Sequence, residues 1–122
     1  MEKYDYISEL AENTAFEIVQ NQEEWKKYLT TAARLYKYPF REQLLIYAQR
    51  PDATACASIE IWNERMHCWV KKGAKGIALL DDADRGKKLK YVFDVADVYA
   101  AKQTGRYPQT WKLYPEHEAS VL

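Results

Sequence analysis

The spacing of apolar residues changes period once along the chain, separating a helical first half from a stranded second half. Residues 4–18 bring Ile7, Leu10, Ala11, Thr14, Ala15 and Ile18 onto one face at three- and four-residue steps, which predicts an amphipathic helix. Asn21 opens a second helix: its side chain can cap the amide of Glu24 while Glu24 reaches back, as in a capping box. Trp25, Tyr28, Leu29, Ala32, Ala33 and Tyr36 follow at helical spacing, so this helix is expected to run to about residue 37 with those side chains packed. Pro39 breaks it or lies just inside the next helix. Phe40, Leu44, Leu45, Tyr47 and Ala48 predict that third helix, which Pro51 ends.

Residues 53–58 (ATACAS) are small and suit a close approach of two elements. Residues 59–65 read as a short helix or a strand, with a helical turn carrying Ile61 and Trp62 preferred. From Cys68 onward HCWV, GIALLDD and KLKYVFDV read as short strands, KKGAKG as a tight turn and Asp84, Arg85 and Gly86 as another. Helices first and strands afterwards predict an α+β class, an N-terminal helical layer packed on a small antiparallel β-sheet. Residues 1–100 are expected to form the domain. Residues 101–122, with scattered aromatics and two prolines, read as an extended tail or linker.

A chain of 122 residues fits one domain, and 48% apolar with 30% charged residues is a globular balance rather than a disordered one. Two cysteines, Cys56 and Cys68, are too few for a disulfide framework. No apolar run approaches the roughly 20 residues of a membrane span. A soluble, cytoplasmic protein with no membrane partner is the expectation. The formal net charge is zero, yet it is unevenly spread: residues 1–33 carry 3 basic and 7 acidic side chains, and residues 34–90 carry 12 and 7.

Catalytic chemistry finds little purchase. His67 and His117 lie in no HExxH string, and the neighbours His67 and Cys68 cannot easily ligate one ion from a strand. KKGAKG lacks the phosphate-loop pattern and sits between strands instead of before a helix. The expectation is a non-enzyme with no catalytic residues, no metal and no cofactor, whose cysteines serve as small buried hydrophobes.

Aromatic and basic residues interleave in two places, RLYKYPFR (34–41) and WNERMHCWVKKGAK (62–75). Single-strand sites combine flat rings, on which unpaired bases stack, with cations that meet phosphates. Arg34, Lys37, Arg41, Lys71, Lys72 and Lys75 are the candidate phosphate-binding cations. Tyr38, Tyr47 and Trp69 are the candidate stacking rings, with the two tyrosines expected to face solvent and Tyr36 and Phe40 the core. Gln49 is a candidate hydrogen-bonding partner for a base or sugar. The same basic turn also reads as an ordinary solvated hairpin tip.

The order of segments adds a family resemblance. Trp25, then Leu44, Leu45, Ile46, Gln49 and Pro51, small residues at Ala53 and Ala55, Trp62, and the turn Val70, Lys72, Gly73, Lys75, Gly76 and Ile77 together resemble the ArdC-like N-terminal domain of plasmid and conjugative-element proteins. The match covers roughly residues 22–98, ending in FDVAD. It implies largely sequence-independent binding of single-stranded DNA in conjugation or antirestriction. It also implies that further domains follow in a longer protein: metalloprotease-like in antirestriction members, helicase or methylase regions in large mobile-element proteins. Glu42 stands where many members carry Asn, and a carboxylate repels phosphate, so no DNA contact is carried over there. With HExxH absent, no protease activity is implied. The competing reading is a protein-interaction module that inhibits a host defence enzyme, with the acidic stretch DDAD (81–84) imitating DNA phosphate.

Overall fold

The structure, a computed structural model, describes residues 2–81 and 86–100. The class is α+β. Three helices come first, α1 (Lys3–Ile18), α2 (Gln22–Arg34) and α3 (Phe40–Gln49), followed by the short strand β1 (Cys56–Ala57) and α4 (Ile59–Glu64). Strands β2 (Cys68–Val70), β3 (Ile77–Asp81) and β4 (Lys88–Asp94) come next, then a single 3-10 turn (Val95–Asp97) and β5 (Val98–Ala100).

Local chemistry sets the helix starts. Asn21 accepts from the amides of Glu23 at 2.7 Å and Glu24 at 3.2 Å, satisfying two amides that have no partner within α2. The Glu24 carboxylate is engaged elsewhere, by the Tyr47 hydroxyl at 3.3 Å and Lys27 at 3.7 Å. Ser58 caps α4 by accepting from the Ile61 amide. Pro39 occupies the position before α3 in extended conformation.

The α2 stripe differs from the expected one. The helix ends at Arg34, and Trp25, Leu29 and Tyr36 are exposed. Its buried side is formed by Tyr28 and Thr31, with Leu35 just past its end, about a quarter turn round the helix. Thr31 is accommodated there because its hydroxyl donates to the Pro51 carbonyl. The Tyr28 hydroxyl donates to the Gln43 side-chain oxygen at 3.0 Å, and the Gln43 amide donates to the Leu35 carbonyl, clamping α2 to α3.

The strands form two antiparallel groups. One is a three-stranded sheet in the order β1-β4-β3, and the other is the two-stranded ribbon β2-β5. In the first, Ile77 lies opposite Val92 and Cys56 opposite Asp94. KKGAKG is therefore not a hairpin tip: β2 and β3 do not pair, and the segment crosses from one sheet to the other. Its glycines have separate reasons. Gly73 adopts φ +86°, a left-handed conformation that side chains disfavour, and a Cβ at Gly76 would lie 3.1 Å from Tyr91.

Three apolar centres result, one of them Ile18, Tyr28, Leu44 and Tyr47 among α1, α2 and α3. Leu45, Ile46, Cys56, Ile77, Leu79 and Val92 join α1 and α3 to the three-stranded sheet. Trp62, Met66, Cys68 and Val98 join α4 to the ribbon, with the Trp62 indole N–H held by the Phe93 carbonyl at 2.9 Å. Asp94 is buried, its Oδ1 accepting from the amides of Thr54 and Ala55 and its Oδ2 from that of Ala96. A carboxylate with this many donors is a structural tie, and it fixes the small-residue stretch against the start of the 3-10 turn.

Candidate nucleic-acid interface

The ribbon carries the clearest aromatic surface. Trp69 and Tyr99 are directly opposed across β2 and β5, flanked by the pairs Cys68–Ala100 and Val70–Val98. Side chains alternate along a strand, and opposed residues share a face. Cys68 and Val98 turn inward, while Trp69 is 38% and Tyr99 50% exposed. Two rings therefore stand together on the outer face. Sequence reading found Trp69 and missed Tyr99, whose only signal was the in–out alternation of Val98 and Tyr99 at the edge of the expected tail.

β2 runs directly into the basic segment. The Lys71 amide donates to the Asp97 carbonyl at 2.9 Å and its ammonium to the Ala96 carbonyl at 3.1 Å, so this lysine is docked against the 3-10 turn. Lys72 and Lys75 are exposed, and the turn between them closes through the Ala74 amide on the Lys71 carbonyl. Aromatic rings and cations thus follow one another along the chain.

The cations of the helical layer divide into two groups. Arg34 donates to the Ala53 carbonyl at 3.3 Å; Ala53 bonds back to Arg50, Arg50 pairs with Asp97, and Asp97 holds Lys71. Arg34 is exposed beside Lys27, Thr30 and Asp52, in a shallow depression of its own. Arg50, a cation that sequence reading passed over, is committed to its carboxylate partners: its hydrogen bond to Asp97 raises its pKa further, and Asp52 also pairs with it. Lys37 and Arg41 sit in and just beyond the α2–α3 turn, both exposed, with Lys37 lying 6.0 Å from the Tyr36 ring centre.

Three candidate residues belong to the fold instead. Tyr38 packs against the main core and donates to the Cys56 carbonyl at 2.7 Å. Burial, followed by the proximity of Cys56 and Glu42, pushes its hydroxyl well above the ordinary range. Tyr36, expected in the core, is the exposed one at 62%, and Phe40 is exposed as well. Tyr47 is buried, with its ring edge-on to Tyr28 at 5.6 Å and its hydroxyl on Glu24. Gln49 spends its amide on the Ala78 backbone and the Leu45 carbonyl. The physical reason is shared: each polar tip found a partner inside the fold, and its apolar body was buried with it.

Glu42 pairs with Lys90 at 3.0 Å. The pair lies in an open groove of about 570 Å³, lined also by Tyr38, Ile59, Glu60, Tyr91 and Phe93. With two carboxylates on its wall, this groove suits a phosphate chain less well than the ribbon does. Cys56 and Cys68 are buried free thiols. Burial and then the Asp94 carboxylate push the Cys56 thiol up to about 12, which keeps it protonated and unreactive. No group of three metal-ligating side chains occurs among the described residues, and no helix among them is long and apolar enough to cross a membrane. Of the acidic stretch, only Asp81 lies within the described residues; His117 and the tail from residue 101 lie outside them. No family model, curated protein or solved structure matches the chain.

Proposed function

We propose that this protein binds single-stranded DNA without strong sequence preference and without catalysing a reaction on it, as its resemblance to the ArdC-like N-terminal domain implies. The observation that carries the reading is the Trp69–Tyr99 pair, exposed in register on the ribbon and continued by Lys71, Lys72 and Lys75. Flat rings accept any base, because every base has a stacking face, and cations beside them accept the backbone. Duplex DNA offers phosphates but hides its base faces, so such a surface prefers a single strand.

Arg34, exposed near the end of α2, is a further cation available to the phosphate chain. The role falls to a mobile-element protein of conjugation or antirestriction, where transferred DNA is single-stranded.

Titration of labelled single- and double-stranded oligonucleotides at several salt concentrations tests this. Tighter binding of the single strand is expected, with affinity falling steeply as salt rises. Absence of single-strand binding at low salt would refute the reading.

A further inference from the structure

Seven of the eleven exposed large apolar side chains among the described residues belong to the first 40 positions. On α1, Phe16 is 66% exposed, and Val19 just past its end is 63% exposed. On α2, Trp25 and Leu29 are one helical turn apart, and Val19 and Trp25 line one shallow depression with Gln20, Asn21 and Gln22, so the apolar side chains of the two helices meet across it. Tyr36 and Phe40 prolong the α2 strip, Phe40 packing edge-on against Tyr28, which also touches Trp25. A chain that stays monomeric rarely leaves so much contiguous apolar surface in water.

The polar residues around the strip differ in sign from one helix to the other. Beside Phe16, α1 exposes Glu9, Glu12 and Glu17. On the other side Lys26, Lys27, Lys37 and Arg41 outnumber the exposed Glu23 along α2 and the start of α3. A nucleic acid would be repelled by the α1 half, and a simple acidic or basic peptide would suit only one half. An object that offers both an acidic and a basic apolar strip is this chain itself. A two-fold axis exchanges the halves, laying the α1 strip of one copy on the α2 strip of the other and the reverse.

We infer that this protein forms a two-fold homodimer through the outer faces of α1 and α2, with α1 acids opposing α2 bases. The interface leaves the β2–β5 ribbon of each copy open, since the ribbon packs with α4 in a separate apolar centre. The inference does not depend on what the ribbon binds.

Sedimentation velocity of the full chain over a wide concentration range is the test. A reversible dimer is expected, with Leu29→Glu and Phe16→Glu each raising its dissociation constant by at least about tenfold, some 1.4 kcal/mol. Both side chains are exposed, so the variants should keep the wild-type circular dichroism and melting temperature. The charge exchange is more specific: Glu12→Lys and Lys26→Glu should each weaken the dimer, and the two together should restore it. A monomer at every concentration, or a dimer indifferent to all four variants, would overturn the proposal. Trp69→Ala should leave the dimer intact, which separates this outcome from failure of the DNA-binding reading.

Discussion

Gln49 closes the free edge of β3 by meeting both backbone groups of Ala78: its Nε2 donates to the Ala78 carbonyl at 2.8 Å, and its Oε1 accepts from the Ala78 amide at 2.9 Å. The side-chain amide takes the place of a neighbouring strand, and it ties α3 to the sheet. Its removal leaves two backbone groups of a buried strand residue without partners, a loss of about 1–3 kcal/mol per group. Gln49→Ala should therefore lower the midpoint of urea unfolding markedly. Gln49→Glu should not rescue it, because a carboxylate cannot donate to the Ala78 and Leu45 carbonyls. Single-strand affinity measured well below the melting point should change little in either variant.

The helices are legible in the sequence because their signals are local: an Asn cap, a Pro break and a stretch of apolar spacing. What the spacing does not determine is which arc of α2 faces inward. Tyr28 lies on the expected stripe, but Thr31 reads as polar, and its hydroxyl bond to Pro51 is visible only in three dimensions. Strand existence is legible too, whereas strand pairing is not. Cys56 meets Asp94 and Trp69 meets Tyr99, partners some thirty or more residues apart. That pairing moves KKGAKG from a hairpin tip to a crossover and supplies Tyr99 to the candidate site. The basic residues are easier to place, since charged side chains stay at the surface wherever the backbone goes.

Tyr36 and Tyr38 exchange the roles that sequence spacing assigns them. Tyr38→Ala removes a packed ring and the hydroxyl bond to Cys56, and should cost about 3 kcal/mol or more, as large core truncations do. Tyr38→Phe keeps the ring and should lose about 1 kcal/mol, the net worth of one hydrogen bond. Tyr36→Ala should stay within about 0.5 kcal/mol, as exposed substitutions do. Chemical denaturation of the three variants gives the comparison. Equal losses from Tyr36→Ala and Tyr38→Ala would contradict the packing described above.

Alkaline pH should destabilise the protein through Cys56. The thiol titrates at an ordinary value of 9.0 when unfolded and is pushed up to about 12 in the fold. Unfolding therefore releases a proton at high pH, so stability is intact below pH 9 and falls as the pH rises toward 12. Tyr38, raised by its burial, acts in the same direction. Melting temperatures recorded at rising alkaline pH should fall in the wild type and fall less steeply in Cys56→Ala, whatever that variant's starting stability. Parallel curves would show that the thiol does not contribute.

The ribbon and its lysines should separate into two kinds of binding energy. Trp69→Ala and Tyr99→Ala each delete a ring exposed to solvent, and base–aromatic stacking is worth about 1–3 kcal/mol per base. Each variant should weaken single-stranded DNA binding by at least about 1 kcal/mol at every salt concentration, leaving the salt slope unchanged. Lys72→Ala and Lys75→Ala should behave in the opposite way, flattening the slope by about 0.7 for each phosphate the lysine had neutralised. Lys71→Ala is the exception among the lysines, because its ammonium already holds the Ala96 carbonyl; it should lower stability as well as affinity. Anisotropy titrations at several salt concentrations, paired with melting curves, distinguish these patterns. If folded Trp69→Ala and Tyr99→Ala bind normally while the lysine variants still flatten the slope, the rings are not the stacking platform. The strand would then be held by charge alone.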